Sequence, residues 1–396
     1  MHAALIVVGA GPAGRSAAEG YRDAGGDGRV VLLGDEGRLP YERPPLTKDF
    51  LRGASSADDL PISGPGWYAD RAVEVLPGKA AIAIDPGSHV VRLADGTTVG
   101  YDRCVLATGS AVATPPIDGA GAALAETGSG SGRRVHVVRS ADQATDLRGA
   151  AASSAAAVVV GSGFIGCEAA VSIARRGTAV TLVAPEALPQ KSRLGADVGR
   201  RIAAWLVDEG VTLRLGTAVE RLDPDGVVVT ADGRLESDVV LLATGHAPRA
   251  DLAVAAGIPT RDGRVLADAG MWTRTSDVLA AGDVALAQNA AAGRRLAVEH
   301  WGEALAMGRI AGANAAGATE SWAQAPGFWS SLGDRTLKQV AWGDGFDAVV
   351  VEDHGAGTFT ARYGRAGVLV GVLTHDRDED YERGRELVET GAPFRP

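Results

Sequence analysis

The chain has 396 residues, 46% hydrophobic and 22% charged, with 39 basic against 49 acidic residues and a formal charge of −10. That length exceeds one ordinary core, so two or three domains are expected in a globular protein. The acidic balance argues against a broad nucleic-acid-binding surface, and no apolar run reaches the roughly 18 residues of a membrane span.

Residues 4–8 form a short apolar run that reads as a first strand, not as a signal peptide, because no basic flank precedes it; a cytoplasmic location follows as the default. The run ends in Gly9-Ala-Gly11-Pro-Ala-Gly14, a helical pattern continues to Tyr21, and residues 30–33 read as a second strand followed by Asp35 and Glu36. This is a strand–turn–helix–strand unit with a GxGxxG turn. Next comes the Pro-rich segment Leu39-Pro-Tyr-Glu-Arg43-Pro-Pro-Leu-Thr-Lys48. Residues 73–107 alternate in short β-type runs, with turns at Asp85-Pro-Gly87 and Asp95-Gly96, and close on Ala107-Thr108-Gly109. Residues 119–132 are small and polar and read as a surface loop.

A second copy of the unit follows: Gly161-Ser-Gly163-Phe-Ile-Gly166 begins 152 positions after Gly9, with a helix to Arg176 and a strand at 180–183. After Val211 another β-rich series, with turns at Asp223-Pro-Asp225-Gly226 and Asp232-Gly233, closes on Ala243-Thr-Gly245. Strand-like runs at 348–351 and 368–372 and an acidic helical tail suggest a third, smaller domain. The tail from His375 to Tyr381 reads as a solvated face, and no metal site is expected.

A GxGxxG turn lets the backbone approach a pyrophosphate, and the first helical turn offers free N–H groups to the anion. An acid some 20 residues on accepts from the ribose hydroxyls, which suits Asp35. In the second unit the acid is expected at position 184, where alanine stands; Glu186 is the substitute, while Lys191 and Arg193 could favour a 2′-phosphate. NADH against NADPH is thereby left open, with a lean to NADH. The two cysteines, Cys104 and Cys167, fall in apolar segments with no CxxC spacing, which excludes disulfide-based reduction.

The paired GxGxxG motifs, the two Ala-Thr-Gly turns, the Pro-rich segment and Ala280-Ala-Gly-Asp283 together resemble the FAD-dependent pyridine nucleotide oxidoreductases of the ferredoxin and rubredoxin reductase type, including the reductase components of oxygenases, over essentially the whole chain. The resemblance implies that Gly9, Gly11 and Gly14 hold the FAD pyrophosphate, Asp35 its ribose and Asp283 its ribityl chain. Arg43, Lys48, Ala81, Thr108, Gly109 and Arg139 would line the same cofactor. Gly161, Gly163, Gly166, Glu186 and Gly245 would receive the nicotinamide nucleotide. Lys48 and Glu168 are implied as a catalytic pair beside the flavin ring. Glu299-His-Trp301 would open a helix under the ring, and Trp329, within Phe328-Trp329-Ser330, would stand beside it; Trp301 and Trp329 also read as possible core of the protein. The chain departs from the family at Ala113, at Ala184 and along residues 333–344.

The expected fold is α/β: two Rossmann-like dinucleotide-binding domains plus a small α+β C-terminal domain. Residues 1–112 and 246–320 would form the FAD-binding domain, 113–245 the NAD(P)H-binding domain and 321–396 the C-terminal interface domain. The implied activity is electron transfer from NAD(P)H through FAD to a ferredoxin-like iron–sulfur protein, feeding an oxygenase or a cytochrome P-450, by a monomer or homodimer. Arg294, Arg295, Arg335 and Lys338 are the expected docking cations. Two rival readings are reduction of a quinone or oxygen by the same flavin, and a redox-sensing flavoprotein whose partner binding depends on NADH.

Overall fold

In a computed structural model, residues 1–125, 134–223 and 225–395 are described. The apolar run His2–Val8 lies at the centre of a seven-stranded sheet, flanked in parallel by Val30–Leu33 and Thr98–Leu106. These strands are buried on both faces, which explains why they read as continuous Val/Ile/Leu runs without polar alternation. Val73–Leu76 and Val278–Ala280 extend the parallel part, and Val90–Leu93 and Ala81–Asp85 add an antiparallel meander.

The second unit repeats this plan. Ala156–Val160 is flanked by Ala179–Ala184 and Val239–Leu242, with Thr212–Leu215 and Val135–His136 outside them, all in parallel. Three short antiparallel strands, Val219–Leu222, Val228–Thr230 and Gly233–Leu235, stand beside it. The chain enters and leaves this unit beside Ser110–Val112 and His246–Pro248, which pair with each other antiparallel.

The C-terminal part is a five-stranded antiparallel sheet, ordered Gly327–Leu332, Arg335–Ala341, Val368–His375, Thr358–Arg365, Ala348–Gly355, with the helix Asp378–Glu389 packed on it. The expected α/β architecture with a small α+β addition is what the structure contains.

Two apolar clusters decide where the site sits. One fills the first unit. The other takes Tyr41, Leu46, Phe50, Leu51 and Leu60 from the Pro-rich region and packs them with the second unit's helices and with Leu332, Leu337 and Phe359 of the C-terminal sheet. The Pro-rich segment is therefore wedged where all three parts meet.

Two expectations are corrected here. Ala120–Ala125 is a short helix whose first residue, Ala120, is buried, so the small-residue stretch is not all loop; residues 126–132 of that stretch, like Pro224 of the 223–226 turn, lie outside the described residues. His375 is not solvated: it ends a strand, is buried, and its ring lies 4.8 Å from that of Trp205. Among the described residues no helix is long and apolar enough to cross a membrane, and no group of three or more side chains could hold a metal ion.

Candidate active site

Both GxGxxG turns have the same local geometry. Gly9 (φ +118°) and Gly161 (φ +111°) adopt backbone that L side chains avoid, and a Cβ on either would overlap a carbonyl oxygen, that of Ala107 or of Ala243. The Ala-Thr-Gly turns are thus the neighbours against which the motif turns are built. Gly14 and Gly166 play a different part from the one expected: both are buried in their helices, where a Cβ would strike the Gly9 or Gly161 carbonyl, and neither lines the cleft. They allow close helix–turn packing. Gly11, by contrast, faces open space and Gly163 has only the Gln190 side-chain amide near it (3.9 Å from an added Cβ); they stand at the N-caps of Pro12–Asp23 and Phe164–Ala174, and neither helix has a side-chain cap. The free N–H groups of each first turn point at a place for an anion.

The two turns open onto one cleft of about 1480 Å³ that runs between the units and reaches the C-terminal sheet. Its size exceeds an ordinary small-molecule pocket of roughly 300–1,000 Å³, as room for two dinucleotides requires. It is lined by Gly9, Gly11, Asp35, Arg43, Lys48, Ala81, Thr108, Gly109, Arg139, Gly161, Gly163, Glu168, Glu186, Gly245, Asp283, Trp301 and Trp329. The cleft brings together every expected site residue except Gly14 and Gly166.

At its floor the Glu168 carboxylate, only 5% exposed, accepts three bonds: from Lys48 Nζ (2.7 Å), Thr47 Oγ1 (2.6 Å) and Ser330 Oγ (2.7 Å). One residue of the second unit's motif helix thus clasps the Pro-rich segment and the C-terminal sheet. Ser172, one turn further along the same helix, donates to the Thr47 carbonyl (2.7 Å). The fully engaged carboxylate fixes the Lys48 ammonium in the cleft.

Towards the first motif, Arg43 donates to Glu36 (2.7 Å) and to the Arg139 carbonyl (2.5 Å), while Tyr41 donates to Glu36 (2.5 Å). Burial pushes the Tyr41 hydroxyl's pKa upward, so it stays a donor. Asp283 Oδ2 accepts from Arg139 (2.9 Å) and from Ser110 (2.7 Å). Asp35 accepts from Arg249 (2.7 Å); partial burial raises its pKa, but the Arg249 charge and hydrogen bond outweigh that and hold it low. Arg249 was not expected at the site, since nothing in its sequence spacing marks it.

At the far end, Phe164, Phe328 and His300 form a run of rings, with centroids 4.7 Å and 4.9 Å apart. His300 caps the helix Trp301–Ala315, lines the cleft, and leaves its buried Nδ1 without a partner. Burial first, and the nearby Arg193 charge second, lower its pKa to about 4. The folded chain therefore keeps a neutral imidazole that the unfolded chain protonates below about pH 6.5, and stability falls as pH drops through that interval. Urea midpoints measured across it are expected to fall less for His300→Asn than for the natural chain. Trp329 is 44% exposed and is not core; together with Trp301, Lys48 and Pro44 it separates the cleft from a shallow outer hollow.

Strand register relocates the expected ribose acid of the second unit. Val8 stands opposite Leu33, as Val160 does opposite Val183, so Asp35 corresponds to Pro185 and not to Ala184. Glu186 remains in the cleft and accepts from Ser192 (2.6 Å). Lys191 does not line the cleft, and Arg193 lies over the Phe164 ring at the far end. Three of the four expected docking cations are paired: Arg294 with Asp344, Arg335 with Asp208 (3.0 Å) and Lys338 with Asp378 (2.7 Å), while Arg295 has no ion pair among the described residues.

The sequence matches the pyridine nucleotide-disulphide oxidoreductase family over residues 3–308. It is 33% identical over 396 residues to the ferredoxin–NAD(+) reductase component of the anthranilate 1,2-dioxygenase system of Burkholderia cepacia, covering 98% of this chain and 94% of that one. It is 30% identical over 402 residues to putidaredoxin reductase of Pseudomonas putida, covering 99% and 93%. The fold superposes on the reductase in the covalent putidaredoxin reductase–putidaredoxin complex with a TM-score of 0.90 at 29% identity, covering 99% of this chain and 94% of that one. With two dinucleotide turns feeding one cleft and a family match across most of its length, the chain belongs to the pyridine nucleotide-disulphide oxidoreductases.

Proposed function

We propose that this chain is an FAD-dependent NAD(P)H:ferredoxin reductase that supplies electrons to an oxygenase-type system. The observation that carries the reading is the single cleft joining two anion-ready helix N-termini and passing the Lys48–Glu168–Ser330 junction on its way to the half-exposed Trp329. In this reading residues 1–112 and 246–320 hold the flavin, 113–245 hold the nicotinamide nucleotide, and 321–396 face the acceptor.

The residues present suit a flavin dinucleotide. Gly11 leaves room for the pyrophosphate, Asp35 and Asp283 present carboxylates where hydroxyls are to be bound, and the buried, unpartnered Nδ1 of His300 awaits a polar group. A bound flavin supplies the conversion of a two-electron hydride transfer into the single-electron transfers an iron–sulfur acceptor requires. The chain contributes orientation. Glu168, held on three sides, fixes the direction of the Lys48 ammonium in the cleft, where a cation favours negative charge on its neighbour. The Phe164–Phe328–His300 rings line the far end of the cleft with an aromatic wall. No thiol takes part: Cys104 and Cys167 are buried in separate clusters, and burial pushes the Cys104 pKa up to about 12.

NADH is the favoured donor. Glu186 follows the end of the second unit's second strand by two residues and lines the cleft, and a carboxylate there repels a 2′-phosphate but accepts from a ribose hydroxyl. In an anaerobic titration the reconstituted protein is expected to lose its visible flavin absorbance with about one equivalent of NADH per flavin, and to regain it on addition of an oxidised ferredoxin. Colour retained in the presence of both pyridine nucleotides would remove the reading. Rapid reoxidation by quinone or oxygen but not by ferredoxin would replace the proposed acceptor.

A further inference from the structure

Among the described residues, the cleft has one lysine or arginine without a carboxylate partner. Every other lysine or arginine lining it, among the described residues, has a carboxylate partner. Arg193 has none; its guanidinium lies 5.8 Å over the Phe164 ring and close enough to His300 to lower that imidazole's pKa. It therefore stands at the end of the cleft where the aromatic rings gather.

The backbone beneath Arg193 is built to hold it there. Gln190, at φ +57°, donates its side-chain amide to the Ser162 carbonyl inside the second motif turn (3.3 Å). On the other side the helix Lys191–Asp208 is interrupted at Gly195 (φ 84°, ψ 170°), which sits against Phe346 of the C-terminal part, and Tyr363 donates to the Leu194 carbonyl (3.1 Å). A segment tied to the dinucleotide turn at one end and to the C-terminal sheet at the other leaves a mobile side chain little freedom of origin. An unpaired guanidinium so placed asks for an anion, and a phosphate suits its planar fork.

We propose that Arg193 is the phosphate anchor of the pyridine nucleotide and that it holds the phosphate on the nicotinamide side. The inference rests on the reductase reading above. Its test uses the FAD-loaded protein and Arg193→Gln, with dissociation constants for NAD+, nicotinamide mononucleotide and 5′-AMP read from calorimetry and from perturbation of the flavin spectrum. Arg193 is exposed and makes no ion pair, so the variant is expected to fold with an unchanged urea midpoint. Losing a charge-assisted bond is expected to weaken NAD+ and nicotinamide mononucleotide by about 10- to 100-fold while leaving 5′-AMP alone, and Arg193→Lys is expected to recover part of the loss. Unchanged NAD+ binding overturns the inference and leaves the reductase reading intact. A loss confined to 5′-AMP overturns the nicotinamide-side placement. A natural protein that binds no pyridine nucleotide overturns both.

Discussion

Glu168→Ala is expected to destabilise the protein by about 3 kcal/mol and to slow flavin reduction by NADH at least tenfold. The carboxylate serves Lys48, Thr47 and Ser330 at once, and alanine strands all three in a place that water scarcely reaches. Removing one partner of a buried pair costs about 3–5 kcal/mol because the other charge remains desolvated; the 17% exposure of Lys48 puts this site at the low end. Glu168→Gln keeps the shape and the hydrogen-bonding capacity for the two hydroxyls but still removes the charge opposite Lys48, so it should cost less than alanine, about 2 kcal/mol. If the pair matters only for packing, Glu168→Gln reduces flavin at the natural rate. If it positions the Lys48 charge, the glutamine variant folds well yet reduces slowly. Urea unfolding and anaerobic stopped-flow absorbance, made on both variants, separate the two. Stability and reduction rate both unchanged in the alanine variant would remove the junction from the account.

The duplicated dinucleotide units were legible in the sequence because each motif answers a local demand. Gly9 and Gly161 are required by a positive φ and a touching carbonyl, and the strand before each is a buried apolar run. The Lys48–Glu168 pair lies 120 positions apart and came from family likeness; no spacing rule connects the two residues. Contacts made by packing two distant elements left no such mark. The helices Pro12–Asp23 and Trp301–Ala315 approach backbone to backbone: a Cβ on Gly308 or Gly312 would overlap the carbonyl of Ala13 or Ala17, and one on Gly20 that of Arg309. In a chain with 54 glycines these three did not stand out, because their need arises only after the helices meet. Three of the four expected docking cations are neutralised for a related reason. Arg294, Arg335 and Lys338 look like free positive charge in the sequence, while the acids that neutralise them arrive from residues 208, 344 and 378. Arg193 is the reverse case, a cation whose freedom is visible only once its neighbours are known to be paired.

Gly9→Ala and Gly11→Ala, two positions apart, are expected to fail in different ways. At Gly9 a methyl group meets the Ala107 carbonyl and the backbone holds φ +118°, so alanine should cost about 2–4 kcal/mol whether or not a cofactor is present. At Gly11 φ is −86° and nothing lies within 4 Å of an added Cβ, so the apoprotein should lose no more than about 1 kcal/mol, the usual range for an N-cap change. That empty volume is where the pyrophosphate backbone is to approach, and filling it should weaken FAD by about 10- to 100-fold, the equivalent of about 1–3 kcal/mol of steric cost. Apoprotein unfolding in urea and recovery of FAD fluorescence on dilution measure the two effects separately. Gly11→Ala with full-strength FAD binding would mean that the first turn is packing alone, and the flavin would have to be sought elsewhere in the cleft. Weak FAD binding on a stable apoprotein would place the cofactor's phosphates at the N-terminus of Pro12–Asp23, where an uncapped helix turn has N–H groups to give.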